Sequence, residues 1–239
     1  MRYAAPSRQR ARRTQSVRSC GRWLRVPLLA AVLAVQLAAG TAQAATSSIE
    51  VERDGDRFTV AADAVLDADP RTAWETLTDY ERLPQFVPGI RRTRVLSRGG
   101  SADGERLVVE YTGRFQLVVV SMPTHIWLEV RHLPMTEVQA QWIAPPPRAP
   151  GDPEPTLRAF TGRYTLTPLA SPSGVPPRLR LGYTARFELA APLPPVIGPV
   201  FGAAAVRHTL REQFEAMVGE IERRAARRPP ADPPRTEGG

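Results

Sequence analysis

The sequence predicts an α+β fold: a curved antiparallel sheet of six to seven strands wrapped around a long C-terminal helix, with one short helix after the first strand. Two observations predict it. Between residues 49 and 189 apolar side chains recur at every second position, in segments joined by short turns, the mark of antiparallel strands with one apolar and one wet face. The apolar spacing changes to three or four at residues 69–81 and again after Pro192, the mark of amphipathic helices.

Residues 49–66 hold two strand segments around Asp54-Gly55-Asp56, and in the second Phe58, Val60, Ala62, Ala64 and Leu66 share one parity. Asp69 as N-cap with Pro70 at the first helical position starts the short helix, and Ala73, Trp74, Leu77 and Tyr80 or Glu81 form its apolar side. Leu83-Pro84 and Val87-Pro88-Gly89 end it in a turn-rich segment. Strands follow at residues 90–97, 105–120, 124–132, 135–143, 159–168 and 179–189, with Met122-Pro123 separating the second from the third. The prolines of residues 145–155 and 171–177 cannot continue a ladder and mark surface loops. From Gly198 to about Ala226, Ala203, Val206, Leu210, Phe214, Met217 and Ile221 fall three or four apart. This helix, about 40 Å long, is the only element able to cover the sheet's apolar face.

The chain has 239 residues, with 32 basic and 24 acidic side chains. Eight of the arginines lie in residues 1–44, which contain no acid. Removing them leaves 24 basic against 24 acidic residues, so the basic pI belongs to the leader and nucleic-acid binding is not expected. An arginine-rich stretch, the apolar residues 26–40 and Ala42-Gln43-Ala44 before Ala45 read as a signal peptide cut after Ala44, directing the protein to the periplasm or outside. The apolar run is too short to span a ~30 Å hydrocarbon core comfortably. The single cysteine, Cys20, leaves with that peptide, so no disulfide, thiolate or cysteine-bound metal is expected in the mature chain. His125, His132 and His208 have no metal-ligand spacing. No metal and no cofactor is expected. Residues 45–228 form one domain, and residues 229–239 a solvated tail.

The run D-P-x-x-A-W-x-x-L-T-D-Y-x-x-x-P-x-F-V-P-G-I at residues 69–90 resembles the opening helix of the START-like helix-grip (SRPBCC) superfamily, in its polyketide cyclase/dehydrase and coenzyme-Q-binding branch. The strands to Leu189 and the closing helix agree in order and length, so the resemblance covers residues 49–226. The proline-rich insert and the export signal depart from it. The resemblance implies a helix-grip fold with a cavity between sheet and C-terminal helix. It also implies a hydrophobic ligand, a lipid or prenylquinone, or else cyclase or dehydratase chemistry on an aromatic or polyketide-like substrate.

Tyr111, Phe115, Phe160, Tyr164, Tyr183 and Phe187 lie on the apolar parity of their strands, and Phe214 and Met217 on that of the long helix. These are the candidate cavity residues, with plain core packing as the alternative for each. A buried phenol needs a hydrogen-bond partner, so the three tyrosines are candidates for orienting a ligand. Phe86, Val87 and Pro88 sit where the resemblance puts one rim of the cavity mouth. They gate ligand access or touch a membrane transiently, or they plug the end of the core. The one candidate proton-transfer group is His132, in phase with Ile126, Leu128 and Val130; a strand-end histidine in water is the alternative. Asp79 reads as a helix-end charge. No Ser-His-Asp arrangement, paired carboxylates or phosphate-binding loop occurs. The expected protein is an exported monomeric carrier, with a cyclase or a partner-binding module as rivals.

Overall fold

A hairpin opens the domain because Gly55 allows it. β1 (Ser47–Asp54) and β2 (Arg57–Leu66) pair in register from Asp54↔Arg57, and Gly55 takes φ +61° at the first loop position, where a primed turn demands a left-handed residue. The computed structural model describes residues 47–101, 104–117, 120–145, 154–172, 175–191 and 198–228. The expected signal peptide with its cut after Ala44, Cys20, and the tail at residues 229–239 lie outside the described residues.

Asp69 then caps α1 (Pro70–Leu77). Its Oδ1 accepts the Thr72 N–H at 2.9 Å and its Oδ2 accepts the Thr72 hydroxyl at 2.6 Å. A 3₁₀ turn (Tyr80–Arg82) and a four-residue helix, α2 (Leu83–Phe86), follow. Tyr80 is buried and Glu81 exposed. β3 (Ile90–Ser101), β4 (Gly104–Leu117), β5 (Val120–Leu133), β6 (Glu137–Trp142), β7 (Leu157–Leu169) and β8 (Arg178–Leu189) complete the sheet before α3 (Gly198–Arg227).

The fold is the expected α+β helix-grip, with three corrections. Eight strands pair antiparallel in the order β1-β2-β8-β7-β6-β5-β4-β3, not six to seven. The short helix follows the first hairpin rather than the first strand, because Gly55 folds residues 49–66 into two full strands. Nor does Met122-Pro123 separate two strands. Both lie inside β5, paired to Phe115 and Arg114 of β4. β6 pairs only with residues 128–133 of β5, so no neighbour on that side needs the N–H that proline lacks.

The apolar parity predicted for β2 and β8 is the buried one: Phe58, Val60, Ala64, Leu66, Leu179 and Leu181 are almost fully enclosed. α3 packs on β1, β2 and β4, and through its C-terminal part on α1. Its Val206, Phe214, Met217, Val218 and Ile221 join the sheet's apolar side chains in one core. Buried area of this kind contributes ~25 cal/mol per Å². Trp127 is buried although it faces away from that core; its ring lies 3.9 Å from the His125 ring on the outer side of β5.

Candidate functional site

Between the sheet and α3 lies a cavity of two lobes, about 230 Å³ and about 160 Å³, which share Ile90, Tyr111, Leu128, Phe160, Tyr183 and Gln213. Gly89 and Arg114, both exposed, border the larger, outer lobe, together with Gly113, Met122, Thr156 and Leu210. Leu77, Tyr80, Val87, Val138, Tyr164 and Met217 line the inner lobe.

The strand parity that put side chains on the sheet's apolar face puts them on this wall. Tyr111, Phe115, Phe160, Tyr183 and Phe187 line the outer lobe, and Tyr111, Phe160, Tyr164, Tyr183 and Met217 the inner one. Phe187 also stacks on Phe58 at 5.0 Å. Phe214 lies behind the wall, in the core, with its ring 6.4 Å from that of Tyr183. Gly162 makes the inner lobe possible: a Cβ there would lie 2.6 Å from the Phe160 ring, which folds over the bare backbone.

The turn after α2 forms one rim, but not with the three side chains expected. Val87 is buried and faces the inner lobe, Phe86 lies under the Arg224 guanidinium at 5.6 Å, and Pro88 is exposed but outside the wall. Gly89 and Ile90 line the lobes instead. Backbone contacts pin this rim. Arg114 N–H donates to the Gly89 carbonyl at 2.7 Å, and Gln213 Nε2 donates to the Pro88 carbonyl at 3.0 Å. A Cβ on Gly113 would meet Gly89 O at 2.0 Å, and Gly89 itself sits at φ +83°, so glycine is needed at both positions.

One more side chain of the outer wall comes from the loop between β6 and β7. Thr156 ends the proline-rich insert and lines the outer lobe. Its hydroxyl donates to Pro123 O at 2.9 Å and accepts the His125 N–H at 3.1 Å, standing in for the strand partner that β6 does not supply. Nothing in a Pro-rich composition signals such a contact.

Four phenols meet at the inner lobe: Tyr80, Tyr111, Tyr164 and Tyr183. The Tyr164 and Tyr183 rings are 4.5 Å apart on paired strands. Burial pushes all four phenols up, Tyr183 to about 12, because a phenolate there would lose its hydration.

His132 is neither in water nor on the wall. It is buried behind Tyr80, whose hydroxyl oxygen lies 2.7 Å from Nε2, while Nδ1 lies 2.8 Å from Glu105 Oε2. The Trp74 ring meets it edge-on at 5.4 Å. Burial lowers the imidazole below its ordinary value, against the opposing pull of Glu105. Glu105 is raised by desolvation, yet hydrogen bonds from His132 and Arg98 outweigh this and hold it below the usual carboxylate range. Tyr80 appeared in the sequence only as a packing position, and Glu105 carried no signal at all. Asp79 binds Arg224 at 3.0 Å, a link from the end of α1 to α3. Among the described residues no cluster of His, Cys, Asp and Glu could hold a metal ion, and no helix is long and apolar enough to cross a membrane.

A family model described as polyketide cyclase / dehydrase and lipid transport matches residues 66–214. No curated protein matches the sequence. Among solved structures, the chain is similar to the Zhui aromatase/cyclase of a Streptomyces species, with TM-score 0.53 and 17% identity over 70% of this chain and 95% of that one. It is similar to a STAR-related lipid transfer protein from Xanthomonas axonopodis, with TM-score 0.53 and 11% identity over 75% and 94% of the two chains. Human STARD10 gives TM-score 0.56 and 15% identity over 73% and 69%. At these identities the likeness is one of fold.

Proposed function

Because the chain belongs to the polyketide cyclase / dehydrase and lipid transport family, within the START-like helix-grip superfamily, we propose that it is an exported, monomeric carrier for a hydrophobic small molecule such as a prenylquinone or a fatty acyl chain. The observation that carries this reading is the two-lobed cavity, apolar in its walls and set with phenols at its inner end. An apolar ligand leaving water for such a wall gains ~25 cal/mol per Å² buried, and the phenols orient its polar end. The arginine-rich leader, apolar run and Ala42-Gln43-Ala44 support export. Loading then takes place at the rim of Gly89 and Arg114, in transient contact with a membrane.

The rival is a cyclase or dehydratase, which the family's name also covers. Such an enzyme needs a proton donor or acceptor poised near the working pH and facing its substrate. Here burial raises the wall's phenols further above the working pH and keeps them protonated, and His132 sits behind Tyr80 with both ring nitrogens engaged. Those two placements favour a carrier.

Native mass spectrometry of the protein exported from its own host, followed by solvent extraction, tests the reading. A stoichiometric lipid or quinone is the expected result. An empty protein that takes up nothing from a panel of prenylquinones and fatty acids overturns it.

A further inference from the structure

We propose that the inner lobe is a polar site built for a hydroxyl-bearing ligand end, and that Glu105, acting through His132, makes Tyr80 the acceptor of that site. This rests on the carrier reading and names the chemistry of the cargo's buried end, an alcohol or phenol.

The direction of each hydrogen bond follows from the groups present. Arg98 Nη1 donates to Glu105 Oε1 at 3.0 Å, and an ionised carboxylate can only accept. His132 Nδ1, 2.8 Å from Glu105 Oε2, therefore carries the proton. Burial keeps the ring neutral, so Nε2 is bare. Tyr80, 2.7 Å from it, has to donate there. Its proton committed, the Tyr80 oxygen presents only lone pairs. The stacked Tyr80 and His132 rings, 5.8 Å apart and 11° from parallel, with Trp74 edge-on, hold this arrangement.

The other phenols of the lobe have the opposite character. The side chains of Tyr111, Tyr164 and Tyr183 line the same lobe, and a phenol O–H donates to a ligand oxygen within its reach. All four side chains line this one lobe, with the Tyr164 and Tyr183 rings 4.5 Å apart. Nearby in the outer lobe, the Thr124 hydroxyl is buried without a partner. A ligand hydroxyl meets both needs, donating to Tyr80 and accepting from a phenol. An ether or ketone accepts only and leaves the Tyr80 lone pairs buried and unmatched, which costs binding energy.

The test uses a long-chain para-alkylphenol and its methyl ether, titrated calorimetrically into the full-length protein. The wild type should bind the phenol about tenfold more tightly than the ether. Tyr80→Phe should bring the ratio to within about twofold while keeping affinity for the ether. Glu105→Gln, at a partly exposed position that spares the core, should do the same by releasing the His132 tautomer. Nitrogen NMR of the His132 ring should show a protonated Nδ1 and a bare Nε2 in the wild type. Equal binding of both probes, or a protonated Nε2, overturns this inference and leaves the carrier reading standing. Rejection of both probes and of every other amphiphile overturns the carrier reading as well.

Discussion

His132 couples the cavity wall to pH. Its folded-state pKa is lowered by burial from an ordinary 6.5, so the unfolded chain binds the proton more readily. The stability it contributes is fully present above about pH 6.5 and is lost as pH falls below that value toward the folded pKa. Glu105, also lowered, loses its contribution further down, below about pH 4.3. Denaturant midpoints should therefore fall between pH 7 and 5 in the wild type, and His132→Gln should flatten that slope; an unchanged slope would place the titrating group elsewhere. Gly162 acts on shape instead. Gly162→Ala should push the Phe160 ring into the inner lobe, lowering affinity for an amphiphile by at least about threefold with little change in stability; the same calorimetric titration measures it. The glycine was visible in the sequence, but its use was not, because the atom it makes room for belongs to a ring whose rotamer only packing sets.

The elements were legible wherever local chemistry decides. Asp69 as N-cap, Pro70 at the first turn and the alternation in β2 and β8 all operate within a few residues, and the structure has them as read. Asp69→Ala should cost about 1 kcal/mol in denaturant unfolding. What the element pattern could not show is how α3 is anchored. Arg224 reaches Asp79 at 3.0 Å and Glu220 at 2.7 Å, and Arg228 donates to Thr72 at 2.7 Å and Glu75 at 3.1 Å. The bonds to Asp79, Thr72 and Glu75 tie the C-terminal end of the helix to α1 and the turn after it across more than a hundred residues of sequence, while the one to Glu220 holds Arg224 against its own helix. Arg224→Ala should destabilise by about 1–2 kcal/mol, and Arg224→Lys should recover only part, since a compact ammonium lacks the separate, rigidly placed Nε and Nη1 donors that reach Glu220 and Asp79. Pro123 and Met135 show the other side of local reasoning. A proline that looked like a strand break is tolerated where β5 has no β6 beside it, and Met135 holds φ 60° in the β5–β6 turn.

At the scale of the whole molecule, the cavity exists because one rod crosses a curved sheet and the side chains flanking the contact leave the gap unfilled. Ile126→Trp, on the outer lobe's wall, should fill that gap: the variant should stay folded, with a thermal midpoint at or above the wild type, and bind no amphiphile. A midpoint collapse would mean that the space is not available in solution. Strand parity placed Tyr111, Phe160 and Tyr183 on the right face, and the period of α3 placed Met217 opposite them. Thr156, Glu105 and the pinned Gly89–Gly113 contact had no such signature, since each acts on a partner far away in the chain. The sequence by itself determined the class of fold, the order of its elements and which side of each strand is apolar, because hydrophobic period and capping are properties of neighbouring residues. Only the tertiary structure decided that the apolar face encloses space, which side chains border it, and that a chain from a partly exposed carboxylate through a buried imidazole to a buried phenol stands at its wall, because those depend on distances between residues that meet only when the sheet closes on the helix.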